Sequence, residues 1–400
     1  MDECKAAFTV GGVKAYEALL RNKTQEWKTV PLNIGVIGNS GAGKSSFING
    51  IRDLDGDDEG AAEVGVTETT MESRSYSHPN NEMMKFWDLP GVGTNLFPKE
   101  SYLEKIGFEK FDFFLILSHI RFTELDTWLS KEIRNKGKQF FFVRTKIQCD
   151  IVNDQKAHPK KYRNDSKVVI KELLHQVRVN LQENLGNIYE EGIVFIIDSY
   201  ERNKFDFALL AQRLVEDFPG LKRQAFIFSM NTFSEQMVRV KAQELRSTLW
   251  QYSSLSGLAA IAPLPGLSAS VDCALIIKAS NFFYNQLGLG DLSLQKIAYF
   301  TKTNSVTLQN IAEEDRDVDK LLTVQGIEQI IRNTPALMVS AAVEEYLHVF
   351  PYGGSVVAAP LSFGTTYYIL NFILNKMEEC ILRVVKTAAE NASINATDNE

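Results

Sequence analysis

The chain has few cysteines, and they form no pattern. Cys4, Cys149, Cys273 and Cys380 are far apart and make no C-x-x-C pair, so neither a disulfide framework nor a cysteine-based zinc site is indicated. The five histidines do not cluster at metal-ligand spacing either. Scattered thiols in a chain of this length are typical of a reducing compartment.

An excess of basic residues is also absent, as is any long apolar run. Lysine and arginine total 43 against 50 acidic residues, and the net charge of -7 argues against general affinity for nucleic acid. The most apolar stretches, 255–283 and 335–374, are broken by prolines, glycines and acidic residues, whereas a membrane-spanning helix needs about 20 apolar residues in succession. The first residues show neither an apolar signal region nor a glycine at position 2. We expect a cytoplasmic protein without a nucleic-acid partner.

In the first half of the chain, short β-rich runs alternate with helical patterns. The strand-like runs are residues 32–38, 83–87, 111–118, 139–144 and 193–198. This alternation predicts an α/β domain with a mostly parallel sheet covered by helices on both faces. The block at 53–63 is acidic and contains glycine, so we expect it to be a mobile surface loop.

After Phe218-Pro219-Gly220 the chain shows long helical patterns, the first over 225–252, and little strand signal. A stripe at helical spacing within 366–385 indicates either a core helix or an amphipathic face that meets a membrane surface. The stripe consists of Tyr367, Leu370, Ile373, Leu374 and Met377. We predict a helical lead at 1–30, an α/β domain at 31–220 and a helical domain at 221–400, with the lead and the C-terminal half forming one all-α domain.

The strongest motif is a glycine-rich loop between a strand and a helical pattern at 46–51. It reads Gly38-Asn39-Ser40-Gly41-Ala42-Gly43-Lys44-Ser45 and fits G-x-x-x-x-G-K-[ST] at every fixed position. The glycines allow successive N–H groups to turn inward as a nest for phosphate, and the following helix points its positive end there. Lys44 would reach the terminal phosphates, and the Ser45 hydroxyl would bind Mg²⁺. The motif predicts a nucleoside triphosphate site with magnesium, and we include Ser46 in it.

A second motif, Asp88-Leu89-Pro90-Gly91, follows an apolar strand. An aspartate at such a strand end is expected in the magnesium shell, and the Gly91 N–H is placed to sense the terminal phosphate. Between the motifs, Thr67 and Thr70 are both candidates for closing over the metal, and the sequence does not choose between them.

Five segments together resemble the immunity-related, interferon-inducible GTPases of the G-K-S subgroup: GNSGAGKSSFING, VGVTETTMES, FWDLPGVGTNLFPKESYLEK, FDFFLILS and FFFVRTK. The tryptophan before D-L-P-G and the later V-R-T-K indicate this family far more specifically than the phosphate loop alone does. The similarity covers most of the chain. It implies a Ras-like P-loop G domain, GTP as substrate, low basal hydrolysis and GTP-dependent self-assembly through the nucleotide faces. It also implies peripheral action at intracellular membranes in cell-autonomous immune defence.

The base-reading motifs depart from this family. Where the family has T-K-x-D, this chain has Thr145-Lys146-Ile147-Gln148, and the final Ser-Asn motif is Asp198-Ser199. Guanine preference therefore depends on Thr145, Lys146, Gln148 and Ser199, unless Asp150 substitutes through a shift of the loop. A neutral amide forms hydrogen bonds about half as strong as a carboxylate does. Losing such a pair costs about 1–3 kcal/mol, so selectivity would fall roughly 10–100-fold.

Val92 follows Gly91, where Ras-like enzymes carry the glutamine that orients the attacking water. The family shares this gap, and the resemblance implies that a second G domain supplies the positioning. Beside Lys44, Glu68 is our candidate for water activation or for stabilising the dimer. Two alternatives stay open: a nucleotide-binding scaffold with little hydrolysis, and an NTPase with relaxed base choice.

Overall fold

The β-rich runs form one six-stranded sheet in the computed structural model. The strands are β1 Leu32–Gly38, β2 Arg74–His78, β3 Asn81–Asp88, β4 Phe113–Ser118, β5 Gln139–Arg144 and β6 Val194–Ile196. Their order is β2-β3-β1-β4-β5-β6, and all pairs are parallel except β2 with β3. The predicted mostly parallel sheet is confirmed.

The structure describes most of the chain. It covers residues 24–65, 73–94, 96–120, 122–186, 193–202, 204–232, 234–259, 267–314, 320–335 and 354–397, with isolated residues before 24. Three site candidates, Thr67, Glu68 and Thr70, lie outside the described residues, as does most of the predicted N-terminal lead.

Two compact units divide the chain: Lys28–Met230, and Met1–Trp27 together with Asn231–Glu400. The first contains the sheet and seven of the described helices. These are α1 Lys44–Ile51, α2 Tyr102–Ile106, α3 Glu124–Asn135, α4 Ile147–Ala157, α5 Pro159–Leu185, α6 Phe207–Asp217 and α7 Gly220–Ser229. The division after Met230 places α7 with the sheet, whereas the sequence-based boundary lies at residue 220.

Both faces of the sheet are filled with phenylalanine. On one face the Phe141 ring lies 4.7 Å from Phe113 and 5.0 Å from Phe195, and on the other Phe142 lies 4.5 Å from Phe122. Adjacent residues of β5 thus point into opposite cores, as expected of a strand buried on both faces. This packing fixes the carboxyl ends of β1, β3, β4 and β5, where ligands of parallel sheets bind.

Strand β2 is absent from the sequence-based prediction because RSYSH contains little apolar surface. It pairs only with β3 and forms the edge of the sheet, where a polar strand is tolerated. The turn residues Pro79 and Asn80 between β2 and β3 are the signal that could have revealed the hairpin.

The second unit is helical throughout its described residues. Its helices are α8 Glu235–Ala259, α9 Leu267–Leu287, α10 Asp291–Thr301, α11 Ser305–Glu314, α12 Val324–Asn333 and α13 Gly354–Thr397. Helix α8 packs along α13, where Ser256 and Ser362 form a buried hydroxyl pair 2.6 Å apart. No described helix is long and apolar enough to cross a bilayer.

The prediction of one helix over 225–252 is wrong. Helix α7 ends at Ser229 and α8 begins at Glu235. The Ser234 hydroxyl accepts the Met237 N–H at 3.2 Å, the bond of a helix N-cap, and the buried Thr232 hydroxyl lies 3.5 Å from the Gln286 carbonyl. Capping and this tertiary anchor outweigh the continuous helical pattern.

The apolar stripe of α13 belongs to the core. Leu370, Ile373, Leu374 and Met377 are fully buried, and only Tyr367, 41% exposed, reaches the surface. The core alternative therefore holds for four of the five residues.

We predict that Leu374→Ala destabilises the protein by about 2–5 kcal/mol, because it removes buried methyl groups and leaves a cavity. Leu292→Ala is the matched control, since Leu292 also lies on a helix of this unit but is 76% exposed. Thermal unfolding followed by circular dichroism compares the two variants. Equal melting temperatures would contradict the burial of Leu374.

Candidate nucleotide site

The phosphate loop connects the end of β1 to the start of α1. Gly43, with φ of 81°, is the N-cap of α1, and its carbonyl accepts the Phe47 N–H at 2.9 Å. A side chain is strained at this φ. At Gly38 a Cβ atom would lie 2.4 Å from the Leu117 carbonyl oxygen, so β1 and β4 approach too closely for any other residue. The loop thus needs its glycines and leaves the N-terminus of α1 facing the site.

Lys44 and Ser45 converge on Asp88. The Lys44 ammonium donates to the Gly38 carbonyl at 2.9 Å and lies 3.9 Å from one Asp88 oxygen. The Ser45 hydroxyl donates to the other oxygen at 3.1 Å. Lys44 is 7% exposed and Asp88 only 3%, so screening by water is weak here. The fold therefore brings together three residues that were singled out from two separate motifs.

Gly91 lies against the same loop. A Cβ atom on Gly91 would be 3.3 Å from the Asn39 side-chain oxygen and 3.4 Å from the Gly38 carbonyl. The segment is held by the Tyr102 hydroxyl, which donates to the Pro90 carbonyl at 2.7 Å. Burial strongly raises the pKa of Tyr102, which keeps this hydroxyl a donor. Gly91 is therefore held within contact of the loop that would carry the phosphates.

The oxygen donors suit magnesium. A serine hydroxyl and a carboxylate are ligands that Mg²⁺ accepts, and this ion is usually held by one or two carboxylates together with substrate phosphates. Within the described part of the chain, no three His, Cys, Asp or Glu side chains converge as a closed metal cage. Ser45 and Asp88 would hold the ion together with phosphate oxygens, and its charge would offset theirs.

The loop after β5 is joined to the phosphate loop. The buried Thr145 hydroxyl donates to the Ala42 carbonyl at 2.7 Å. Lys146 follows with φ of 58°, and its Cε lies 3.7 Å from the position of a Cβ on Gly43. The exposed Lys146 side chain therefore lies beside the phosphate loop, at the opening of the site.

A third loop, after β6, closes against the second. The Gln148 N–H donates to Asp198 at 3.3 Å, and the Tyr200 N–H donates to the other Asp198 oxygen at 3.0 Å. Ser199 is buried against α1, with its carbonyl 3.1 Å from the position of a Cβ on Gly50. Asp198 itself is only 5% exposed.

Tyr200 is a site residue that the sequence patterns did not single out. It is 75% exposed, and its hydroxyl lies 3.2 Å from the Ser46 hydroxyl on α1. Its place directly after the Asp198-Ser199 motif is the signal that could have identified it.

Asp150 forms an ion pair with Arg144 and is not available at the base-reading position of the family motif. It accepts a hydrogen bond from Arg144 at 2.6 Å. Burial raises the pKa of Asp150, while Arg144 and then His119 lower it. Burial also lowers the pKa of Arg144, which Asp150 opposes. The alternative in which Asp150 replaces the missing family aspartate would require breaking this ion pair.

The acidic block at 53–63 is anchored, contrary to the expectation of a mobile loop. Asn49 and Ala62 exchange two hydrogen bonds of 2.8 and 2.6 Å, and Arg52 donates to the Gly60 carbonyl at 2.9 Å. These contacts hold the chain just before the segment that contains Thr67, Glu68 and Thr70. Asn49 lies on α1 and Arg52 directly follows it, and the acidic composition of the block did not indicate this anchoring.

Comparison with known proteins agrees with this geometry. The family model for interferon-inducible GTPases (IIGP) matches residues 1–376. Interferon-inducible GTPase 5 of Rattus norvegicus is 31% identical over 396 residues, covering 98% of this chain and 82% of that protein. T-cell-specific guanine nucleotide triphosphate-binding protein 2 of Mus musculus is 36% identical over 286 residues, covering 72% of this chain and 66% of that protein.

Among solved structures, a GTP-binding protein from Sulfolobus solfataricus in complex with GDP matches 53% of this chain and 58% of its own, at 16% identity. Its TM-score is 0.28. The family model is decisive, because it spans nearly the whole chain and includes every motif of the site. The chain belongs to the interferon-inducible GTPase family.

Proposed function

We propose that this chain binds GTP with magnesium, hydrolyses it slowly and assembles with further copies of itself in a nucleotide-dependent way. The observation that carries the proposal is the convergence of Lys44 and Ser45 on the buried Asp88, beside a glycine-shaped loop at the N-terminus of α1.

Each part of this site acts on phosphate charge. The loop N–H groups and the N-terminus of α1 favour an anion, and the buried Lys44 ammonium adds a full positive charge in a place of weak screening. Fixed groups of this kind stabilise the charge that develops on the transferred phosphoryl group without having to reorganise.

Slow turnover by the single chain is supported by Val92. This side chain is apolar and 7% exposed, so it cannot orient a water molecule as a glutamine would. Glu68 is the proposed source of water activation. Assembly through the nucleotide faces would add groups from a second copy.

A scaffold that binds GTP but scarcely hydrolyses it is a second candidate, and Val92 favours it. Single-turnover measurement with radiolabelled GTP at high protein concentration separates the two functions. The enzyme releases phosphate, whereas the scaffold returns unchanged nucleotide.

Replacement of Lys44 by alanine should weaken GTP binding roughly 10–100-fold, because a hydrogen bond to a charged group contributes about 1.5–3 kcal/mol. Calorimetric titration with GTP and Mg²⁺ measures this loss. The control is Lys156→Ala, a change of the same charge on the exposed surface of α4. Unchanged affinity of the Lys44 variant would refute the phosphate site.

GTP turnover per molecule should rise with protein concentration if a second copy completes the site. Phosphate release measured over a range of protein concentrations tests this, with light scattering as the readout of assembly. Glu68→Ala should abolish the acceleration and leave GTP affinity unchanged. A turnover number independent of concentration would remove the assembly part of the proposal.

Peripheral contact with an intracellular membrane is part of the same proposal and is supported by exposed aromatic side chains on the helical unit. Trp250 on α8 is 50% exposed, and Tyr367 and Tyr368 on α13 are 41% and 47% exposed. Such amphipathic rings favour the headgroup region of a bilayer.

We expect the GTP-bound protein to sediment with phospholipid vesicles, and replacement of these three aromatics by alanine to reduce the bound fraction. Replacement of Leu209, 51% exposed on α6 of the sheet-containing unit, by alanine is the control. Absence of vesicle binding by the parent protein would refute this contact.

A further inference from the structure

Three loops at the carboxyl edge of the sheet form a closed ring of hydrogen bonds. The Thr145 hydroxyl donates to the Ala42 carbonyl, and the Gln148 N–H donates to Asp198. The Tyr200 hydroxyl lies 3.2 Å from the Ser46 hydroxyl on α1, the helix that follows the phosphate loop. A base attached to a bound triphosphate would extend from the phosphate loop into this ring.

Gln148 contributes its backbone N–H to this ring, and its carboxamide remains for pairing with a base. Gln148 is half-buried, and its carboxamide forms no hydrogen bond with any residue the structure describes. Asp198, in contrast, is 5% exposed, and each of its two oxygens already accepts a backbone N–H. The base would therefore meet a neutral amide, while the nearby carboxylate holds the loops together.

A carboxamide and a carboxylate select different base edges. The carboxylate offers two acceptors, which suit the ring N1–H and the exocyclic 2-amino group of guanine. The carboxamide offers one acceptor and one donor. Its oxygen can take the N1–H, but its NH₂ then faces the 2-amino group, donor against donor. A 2-keto group, as in xanthine, would accept that donor, and hypoxanthine has only hydrogen at this position.

We propose that Gln148 removes the usual preference for a 2-amino group, so that XTP and ITP bind at least as tightly as GTP. The inference rests on the proposed triphosphate site and specifies which 6-oxopurine nucleotides that site accepts.

Asp198 determines how this selectivity can be reversed. A Gln148→Asp variant places a second carboxylate at position 148. The backbone N–H of this residue donates to an Asp198 oxygen at 3.3 Å, so the two acidic residues are neighbours. Carboxylates on two residues that contact each other in this way disfavour each other's charged form. Guanine preference should therefore return fully only when Asp198→Ser accompanies Gln148→Asp, with a non-additive effect in the double-mutant cycle.

The test is calorimetric titration of the full chain with GTP, XTP and ITP in the presence of Mg²⁺. For the parent protein, XTP and ITP should each bind as tightly as GTP or tighter, within the error of the titration. In the double variant Gln148→Asp with Asp198→Ser, GTP should be preferred roughly 10–100-fold. Gln155→Asp is the matched control, because it makes the same change at an exposed position of α4 and should leave the ranking unaltered.

Two failures are distinguishable. If the parent protein binds none of the three nucleotides, the proposed function fails and this inference fails with it. If GTP binds tighter than XTP or ITP by more than the error of the titration, the triphosphate site stands and the role of Gln148 is refuted. The order of the three affinities is measured on the parent protein without any substitution. A folding defect in the Asp198→Ser variant therefore does not affect this test.

Discussion

The hydrogen bond from the Thr145 hydroxyl to the Ala42 carbonyl, 2.7 Å long and buried at both residues, joins the two halves of the nucleotide site. It connects the loop after β5 to the phosphate loop, two segments more than a hundred residues apart in the chain. Because Lys146 follows directly and lies along Gly43, the base-side loop cannot move without the loop that carries the phosphate-binding N–H groups. The phosphate and base positions are thereby held in one frame, which is the preorganisation that binding a triphosphate requires.

The buried charges of the site are better suited to binding a ligand than to stabilising the fold. Lys44 and Asp88 lie 3.9 Å apart at 7% and 4% side-chain exposure, too far for a hydrogen bond between them. Burial of two charges costs several kcal/mol unless close pairing offsets it, and replacing such a pair by apolar residues often stabilises a fold. In the proposed site, the ammonium would meet phosphate oxygens and the carboxylate a metal shell. The sheet, whose phenylalanines fill both faces, supplies the rigidity that keeps this arrangement in place.

Elements with a strong local pattern were predictable, and elements that depend on distant partners were not. The parallel strands could be read from their β-rich runs. The polar edge strand β2 was missed, and α8 was joined to α7, because Thr232 and Ser234 interrupt the helix through a tertiary contact and a cap rather than through a proline or glycine. The same limit applies to the acidic block at 53–63, whose composition indicates mobility although Asn49 and Arg52 anchor it.

The sequence by itself determined the phosphate loop, the residues proposed to hold magnesium and the family, because glycine positions and a lysine–serine pair act through local backbone geometry that neighbouring residues set. It also showed that Gln148 and Asp198 depart from the family pattern. Only the tertiary structure decided what this departure means. Gln148 and Asp198 are 50 residues apart and meet only because β5 and β6 are adjacent in the sheet. Their contact assigns the carboxylate to loop anchoring and leaves the amide to the base, since hydrogen-bond partners across a sheet are set by packing and carry no signature in the chain.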